Sequence, residues 1–325
     1  MRLIKPKAEL LLQQPGLEGV YKQIELSGRT CYKSTDKITE DSAKPFVDRM
    51  IKSNHLAMLE HGTVYLTIPG ESEPDEFGMV DCSPRYKGEY SRNKYSKVNY
   101  KYWSQEPTDI QKEFCKSIPR STIYITTNLR VLVENGWLDD LKYICEPTEY
   151  HEKRYTFRLT TSIGVTRELN RHRVNSIAEQ STRYCNYSKD KFGNEVAICI
   201  PSWLNLPEIS VKYYDGIYVD TPGYSITDFD NEEENGFLWA IAFAEEQYFQ
   251  LLDLGWQPQQ AREVLPLCTA TEIIHTAFAS DWKHFFDLRY YGTTGKPHPN
   301  MVELSILMVK EAEKYGILDE ILNNR

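Results

Sequence analysis

Apolar residues follow two different spacings in this chain, and the two spacings alternate irregularly along the sequence. Three segments have the pattern of β-strands: residues 63–69, 155–159 and 271–278. Three others have apolar residues at helical spacing: residues 237–254, 281–291 and 301–316. Because strands and helices are mixed without a regular strand–helix alternation, the sequence predicts an α+β fold, with a mixed sheet and packed helices, rather than a doubly wound sheet.

The ends of several elements also carry sequence signals. After the strand that begins near residue 155, the spacing of apolar residues lengthens, so we expect the strand to lead into a helix that ends near Arg173. Ser280 and Asp281 predict the N-terminal cap of the helix that follows them. Asn300 with Glu303 predicts a start similar to a capping box for the last long helix.

Two long stretches show little periodicity. Residues 70–150 are charged and rich in tyrosine over much of their length, and residues 186–235 are rich in Asn, Asp, Pro and Tyr. Irregular segments of this composition typically run over a protein surface. We therefore expect a single domain spanning residues 1–325, with insertions at about residues 70–150 and 186–235.

Charge and cysteine usage argue against several classes of protein. The 38 basic and 47 acidic residues give a net charge of −9, which offers no long-range attraction for nucleic acids or acidic membranes. The 7 cysteines form no CxxC pair, and no metal-ligand spacing such as HExxH occurs. No apolar stretch approaches the ~18–20 residues of a membrane span. We expect a cytoplasmic protein with reduced thiols, no bound metal, and neither nucleic acid nor membrane as a partner.

Three consecutive basic residues, Arg171, His172 and Arg173, are the most unusual local feature. At a helix end, successive side chains fan by about 100 degrees, so three donors could reach different ligands and hold two anions. The alternative is a basic helix end that complements the helix dipole.

The residues that follow favour ligand binding. Glu179, Ser181 and Arg183 are spaced two apart, so an extended segment would present a carboxylate, a hydroxyl and a guanidinium on one face. A guanidinium and a hydroxyl suit a phosphate, and a carboxylate accepts from a ring N–H or a ribose hydroxyl. This set of side chains indicates a nucleotide site.

With these residues the chain resembles the flavin-dependent thymidylate synthases, the ThyX family. The sequence RHRVNSIAEQS at residues 171–181 reproduces the family signature of R-H-R, seven residues and Ser, and Arg183-Tyr184 follows it. Other landmarks occur in the same order: His55 with Glu60-His61, AREVLPL with Arg262, and WKHFFDLR with His284 and Arg289. The resemblance covers about residues 20–69, 155–185 and 236–310.

The resemblance implies two sets of binding residues. Contacts with FAD would come from His55, Arg171, His172, Arg173, Glu179 and His284. Contacts with deoxyuridylate (dUMP) would come from Glu168, Arg171, Gln180, Ser181, Arg183, Arg262 and Arg289. Of these, Arg289 and Ser181 would be catalytic, with Arg289 favouring the ionised uracil ring.

The resemblance also implies a ThyX-like fold, a reaction and an assembly. A single catalytic domain would convert dUMP into dTMP, with methylenetetrahydrofolate as carbon donor and FAD reduced by NADPH as hydride carrier. Members of the family are homotetramers with active sites shared between chains. A classical thymidylate synthase would need a Pro-Cys-His motif, and this chain contains no Pro-Cys pair.

Two other readings remain open from the sequence. A flavin- or nucleotide-binding relative without turnover is made possible by Phe278, which stands where several relatives have a flavin-contacting Asn. Retention of Arg171, Ser181, Arg262 and Arg289 argues against it. The second alternative is that the segment RHRVNS forms a helix that contacts a nucleic-acid backbone. The acidic net charge argues against this alternative.

Overall fold

The computed structural model describes residues 1–69, 85–104, 119–189, 192–214, 217–220 and 231–323. The strands, in chain order, are β1 Arg2–Ile4, β2 Lys7–Leu11, β3 Thr63–Pro69, β4 Lys97–Ser104, β5 Pro119–Asn128, β6 Arg154–Ser162, β7 Ser176–Glu179, β8 Ala197–Cys199, β9 Val211–Tyr214, β10 Ile217–Asp220 and β11 Ala270–Phe278. The α-helices are α1 Gly16–Cys31, α2 Ala43–Lys52, α3 Tyr90–Arg92, α4 Leu129–Asn135, α5 Ile163–Leu169, α6 Glu232–Asp253, α7 Pro258–Ala261, α8 Ala279–Arg289, α9 Pro299–Lys314 and α10 Leu318–Asn323.

The largest sheet has four strands in the order β2-β6-β11-β7, and each pairing in it is antiparallel. Helices α8, α9 and α10 pack beside it, because their apolar faces and the inward side chains of β6 and β11 form one core. The large side chains of this core include Tyr155, Phe157, Trp282, Phe285 and Phe286. The expected α+β architecture is confirmed. Pairing is antiparallel in both larger sheets, and among the described strands β1 and β8 pair in parallel.

A second sheet, in the order β3-β5-β4, takes β4 and β5 from the region expected to be an insertion. Its central strand β5 places Ile123 and Ile125 in a core with Val64 and Leu66 of β3, and α1, α2 and α4 contribute to the same core. Residues 97–104 and 119–135 are therefore integral to the packing, and they are not an external elaboration. Whether the whole stretch is an insertion relative to the family stays a prediction.

The second irregular stretch was expected to be a surface excursion, and for residues 196–200 this was wrong. Val196, Ile198 and Ile200 are buried, and together with Leu238 and Tyr248 of α6 they form a third core. The strand β8 that carries Ile198 is only three residues long, too short for its alternation to be visible in the sequence. Helix α6 also begins at Glu232, within the same stretch.

The starts of the two C-terminal helices differ from their expected caps. Helix α8 begins at Ala279 with Phe278 as N-cap, so Ser280 and Asp281 lie inside its first turn. Ser280 donates to the Glu152 carboxylate instead of capping the helix. Helix α9 is capped by His298, whose Nδ1 accepts from the backbone N–H of Asn300 at 3.3 Å. Polar residues in the sequence mark the start of both helices. Contacts with distant parts of the chain decide which residue caps each helix. Within the described residues, no helix combines the length and apolarity needed to cross a membrane.

We predict that Ile198→Ala destabilises the protein by about 2–5 kcal/mol, because Ile198 is fully buried and the lost methyl groups leave a cavity. Leu254→Ala is the control, since Leu254 is 78% exposed, and it should change stability by less than about 0.5 kcal/mol. Chemical denaturation measures both. Equal, small effects would show that residues 196–200 do not form a core.

Candidate functional site

The basic run Arg171-His172-Arg173 lies in a turn, and the expectation that a helix extends to Arg173 was wrong. Helix α5 ends at Leu169, and the chain turns back to enter β7 at Ser176. This turn is required because β7 pairs antiparallel with β11, with Glu179 opposite Ile273. The three side chains are therefore separated by turn geometry and do not fan from a helix.

A cavity of about 570 Å³ opens beside the end of β7. Two polar residues of the signature segment and one upstream histidine from the sequence prediction line it, namely Glu179, Ser181 and His55. The remaining lining residues are Cys31, Tyr32, Met50, Asn54, Leu56, Ala57, Met58, Arg130, Glu134 and Tyr184. The structure thus brings together, from distant parts of the chain, a small polar set and a mainly apolar and aromatic wall.

Glu179 is the most buried carboxylate of this cavity. Its Oε1 accepts a hydrogen bond from Thr166 Oγ1 of α5 at 3.0 Å. Burial raises the pKa of Glu179, and the hydrogen bond from Thr166 acts in the opposite direction. The hydroxyl therefore both stabilises the carboxylate and ties β7 to α5.

Arg130 of α4 was not anticipated as a site residue. Its Nη1 donates to the Glu60 carboxylate, and its Nε donates to Glu134 at 2.8 Å. The spacing of Arg130 and Glu134 by four residues on a helix was visible in the sequence. Their position at the cavity was not, because it depends on β5 pairing with β3 and on the packing of α4. Tyr32 at the end of α1 was missed for the same kind of reason.

A second group of predicted site residues surrounds Arg289, at the C-terminal end of α8. Its Nη1 donates to Oε2 of Glu168 at 2.7 Å, and its Nη2 donates to the backbone carbonyl of Glu168 at 3.3 Å. Its Nε donates to Nε2 of His172 at 3.3 Å. Arg289, Glu168 and His172, which were predicted separately from sequence, thus form one hydrogen-bonded cluster, which we call the Arg289 cluster.

His172 is held neutral in this cluster. Burial lowers its pKa to about 4, and the positive charges of Arg289 and His284 act in the same direction. The ring of His284 lies 6.2 Å from that of His172, centroid to centroid. A neutral ring is required here, because Nε2 must accept the hydrogen bond from Arg289.

Ser181 and Arg183 do not continue the strand, so the expected alternation of side chains between two faces ends at Glu179. Residues 182–184 form a turn, in which the backbone N–H of Arg183 donates to Ser181 Oγ at 3.3 Å. The guanidinium of Arg183 lies over the ring of Tyr184, 5.4 Å from its centroid. Arg262 donates to Thr182 Oγ1 at 2.7 Å. Ser181, Arg183 and Arg262 are thus gathered around this turn, and Ser181 and Tyr184 line the cavity.

The remaining predicted residues lie elsewhere. Gln180 is buried beside a separate cavity of about 60 Å³. Arg171 and Arg173 are exposed, and neither makes an ion pair within the described part of the chain. Phe278 is buried, with the guanidinium of Arg154 over its ring, and it does not line the 570 Å³ cavity. One chain therefore assembles some of the predicted FAD residues and leaves others on its surface.

Comparison with known proteins gives a family and several relatives. A family model described as thymidylate synthase complementing protein matches residues 147–315. The flavin-dependent thymidylate synthase of Kosmotoga olearia is 30% identical over 135 residues, which cover 42% of this chain and 53% of that protein. The chain spans about half the length of this relative.

Two solved structures are similar at lower levels. The UMP/dUMP methylase PolB from Streptomyces cacaoi, bound with 5-Br dUMP, aligns with 99% of this chain and 97% of its own, at 17% identity and a TM-score of 0.42. Thymidylate Synthase X from Helicobacter pylori, with FAD and dUMP, aligns with 52% of this chain and 73% of its own, at 19% identity and a TM-score of 0.34. Neither likeness is close enough to assign the function of a residue.

We predict that His172 makes the protein less stable in acid. Because its pKa falls from 6.5 in the unfolded chain to about 4 in the folded one, the unfolded chain binds the proton more readily. This contribution to stability is complete above pH 6.5 and is lost as the pH falls towards 4. In His172→Gln, the loss of unfolding free energy between pH 7 and pH 4.5 should be smaller by on the order of 1–2 kcal/mol.

Denaturant titration at the two pH values measures this difference. His55→Gln is a matched control, because the His55 side chain is exposed and makes no capping hydrogen bond, and its loss of unfolding free energy between the two pH values should follow that of the wild type. If His172→Gln and the wild type lose the same free energy, His172 is not held neutral by its surroundings.

Proposed function

We propose, because the chain belongs to the thymidylate synthase complementing protein family, that it is a flavin-dependent thymidylate synthase converting dUMP into dTMP. One observation carries the proposal. The residues of the family signature form two neighbouring groups, the cavity with Glu179 and Ser181 and the Arg289 cluster, and α5 contacts both through Thr166 and Glu168. If the run Arg171-His172-Arg173 served only to complement a helix dipole, these two groups of residues would not need to lie side by side.

The cavity fits the ring system of FAD in its chemistry. Tyr32, Met50, Met58 and Tyr184 offer flat or polarisable surface to a planar heteroaromatic group, and His55 adds a polar edge. Bound FAD would supply a hydride carrier, with NADPH as the source of the hydride and methylenetetrahydrofolate as the carbon donor. We assign His55, Glu179 and Ser181 to this cavity.

The chain itself would bind and orient the nucleotide. Arg183 and Arg262, with Ser181, lie around one turn and suit a phosphate, because guanidinium groups and a hydroxyl form charge-assisted hydrogen bonds with it. Arg289 would stabilise negative charge on the uracil ring, an electrostatic contribution that grows as the anion forms. No protein nucleophile is needed in this scheme.

The exposed arginines support a shared site. Arg171 and Arg173 lie on the surface, outside the 570 Å³ cavity, although the family resemblance assigns them to FAD. We propose that they, with His172 and His284 nearby, contact FAD bound mainly by another copy in a homotetramer. We also propose a cytoplasmic location, which agrees with the free thiols of the five cysteines that the structure describes.

The central experiment tests flavin binding and product formation together. Purified protein reconstituted with FAD should show the absorption bands of oxidised flavin, and NADPH should bleach them. Addition of methylenetetrahydrofolate and dUMP should then yield dTMP, measured by chromatography. Retained FAD without dTMP would favour a flavin-binding relative without turnover, and absence of FAD binding would contradict the proposal.

We predict that Arg183→Ala and Arg262→Ala each weaken dUMP binding about tenfold or more, since each loses a charge-assisted hydrogen bond worth about 1.5–3 kcal/mol. FAD content should not change. Titration calorimetry measures the affinity. Arg158→Ala is the matched control, because Arg158 pairs with Glu9 at the edge of the large sheet and does not line the cavity. Unchanged affinity in both site variants would remove these residues from the nucleotide site.

A further inference from the structure

The guanidinium of Arg289 is fixed along two of its edges. An arginine side chain has five N–H groups, and three of those of Arg289 are used by Glu168 Oε2, the Glu168 carbonyl and His172 Nε2. Two N–H groups remain, one on each terminal nitrogen. The plane of the guanidinium is therefore set by Glu168 of α5 and by His172 in the turn after it, and two N–H groups are left for a ligand.

Oε2 of the Glu168 carboxylate is occupied by this contact. It forms the ion pair with Arg289 at 2.7 Å, and the main-chain carbonyl of Glu168 accepts from the same guanidinium. The family resemblance placed Glu168 among the residues that touch the nucleotide. In the structure its ion-pair partner is the arginine assigned to the uracil ring.

We infer that Glu168 is a positioning residue, which acts on the reaction by holding Arg289 and not by touching the nucleotide. This inference rests on the proposed function, because it presumes that Arg289 acts on the uracil ring. An arginine on a flexible stem loses rotamer entropy when it binds a ligand. Glu168 makes that loss occur during folding, so that Arg289 is already oriented when the ring becomes anionic.

His172 and Glu168 have different parts in this arrangement. His172 accepts from Nε at 3.3 Å with an uncharged ring, whereas Glu168 provides a charged acceptor at 2.7 Å and a second acceptor from its backbone. Charge-assisted hydrogen bonds are about twice as strong as neutral ones. Glu168 therefore dominates the orientation of Arg289, and its loss cannot be replaced by His172.

The test is a double-mutant cycle on the FAD-loaded enzyme, with Glu168→Ala, Arg289→Ala and the double variant. Single-turnover formation of dTMP should slow about tenfold or more in Glu168→Ala, while dUMP affinity changes less than about threefold. The double variant should be no slower than Arg289→Ala, because Glu168 acts only through Arg289. Glu168→Gln keeps an acceptor oxygen without the charge and should recover part of the rate lost in Glu168→Ala.

The outcomes separate the inference from simple alternatives. Independent, multiplicative losses in the double variant, or a dUMP affinity that falls as much as the rate, would mean that Glu168 contacts the nucleotide and would overturn the inference. Glu9→Ala is a matched control that also removes a Glu–Arg ion pair, with Arg158, and it should keep the wild-type rate.

A crystal structure of Glu168→Ala supplies a readout that does not depend on activity. Arg289 should leave the plane that it has in the wild-type crystal, whether or not nucleotide is present. If the wild-type enzyme forms no dTMP, the proposed function fails, and the position of Arg289 still decides whether Glu168 orients it. An unmoved Arg289 in the variant would overturn the inference even in an active enzyme.

Discussion

The pairing of strand β11 with both β6 and β7 is the constraint on which the site depends. Ala270 lies opposite Ser162, and Phe278 lies opposite Arg154, so α5 and α8 begin at opposite ends of the same strand pair. Helix α8 has 11 residues and spans about 16 Å. It runs back along the sheet until Arg289 meets Glu168 on α5. The catalytic proposal thus follows from the antiparallel register, because a shift of register would separate the two side chains.

The buried guanidinium of Arg154 connects that sheet to the opposite wall of the cavity. Its Nη1 donates to the Glu60 carbonyl at 3.0 Å, and its Nη2 donates to Ser176 Oγ at 3.0 Å. Burial lowers the pKa of Arg154 to about 10, so the group remains charged at neutral pH. Glu60 lies in the short 3-10 helix Leu56–His61 that follows His55, and Ser176 begins β7. One cation therefore ties together the two walls that present His55 and Glu179.

The sequence predicted those parts of the fold whose signal is local. The strand at Thr63–Pro69 and the long helix α6 were found from periodicity, which extends over enough residues to be recognised. The core around Ile198 was missed because its strand has three residues and its partner β1 lies almost 200 positions away. The ion pair of Glu168 and Arg289, 121 residues apart, was likewise invisible: a motif gives the identity of two residues, and only the sheet register makes them partners.

The proposed binding of an anionic nucleotide by an acidic chain depends on which arginines are paired with carboxylates. With a net charge of −9, the chain as a whole repels phosphate, so binding must rely on local arginines. Of the two assigned to the phosphate, Arg183 makes no ion pair among the described residues, whereas Arg262 lies 3.6 Å from the exposed carboxylate of Glu263. The charge of Arg289 is balanced by Glu168 at 2.7 Å. Among the described residues, Arg171, Arg173 and Arg183 make no such ion pair, and all three are exposed. Arg289, whose charge is balanced by Glu168, is thus suited to orient a ring. The arginines that lack such a partner are suited to attract a phosphate.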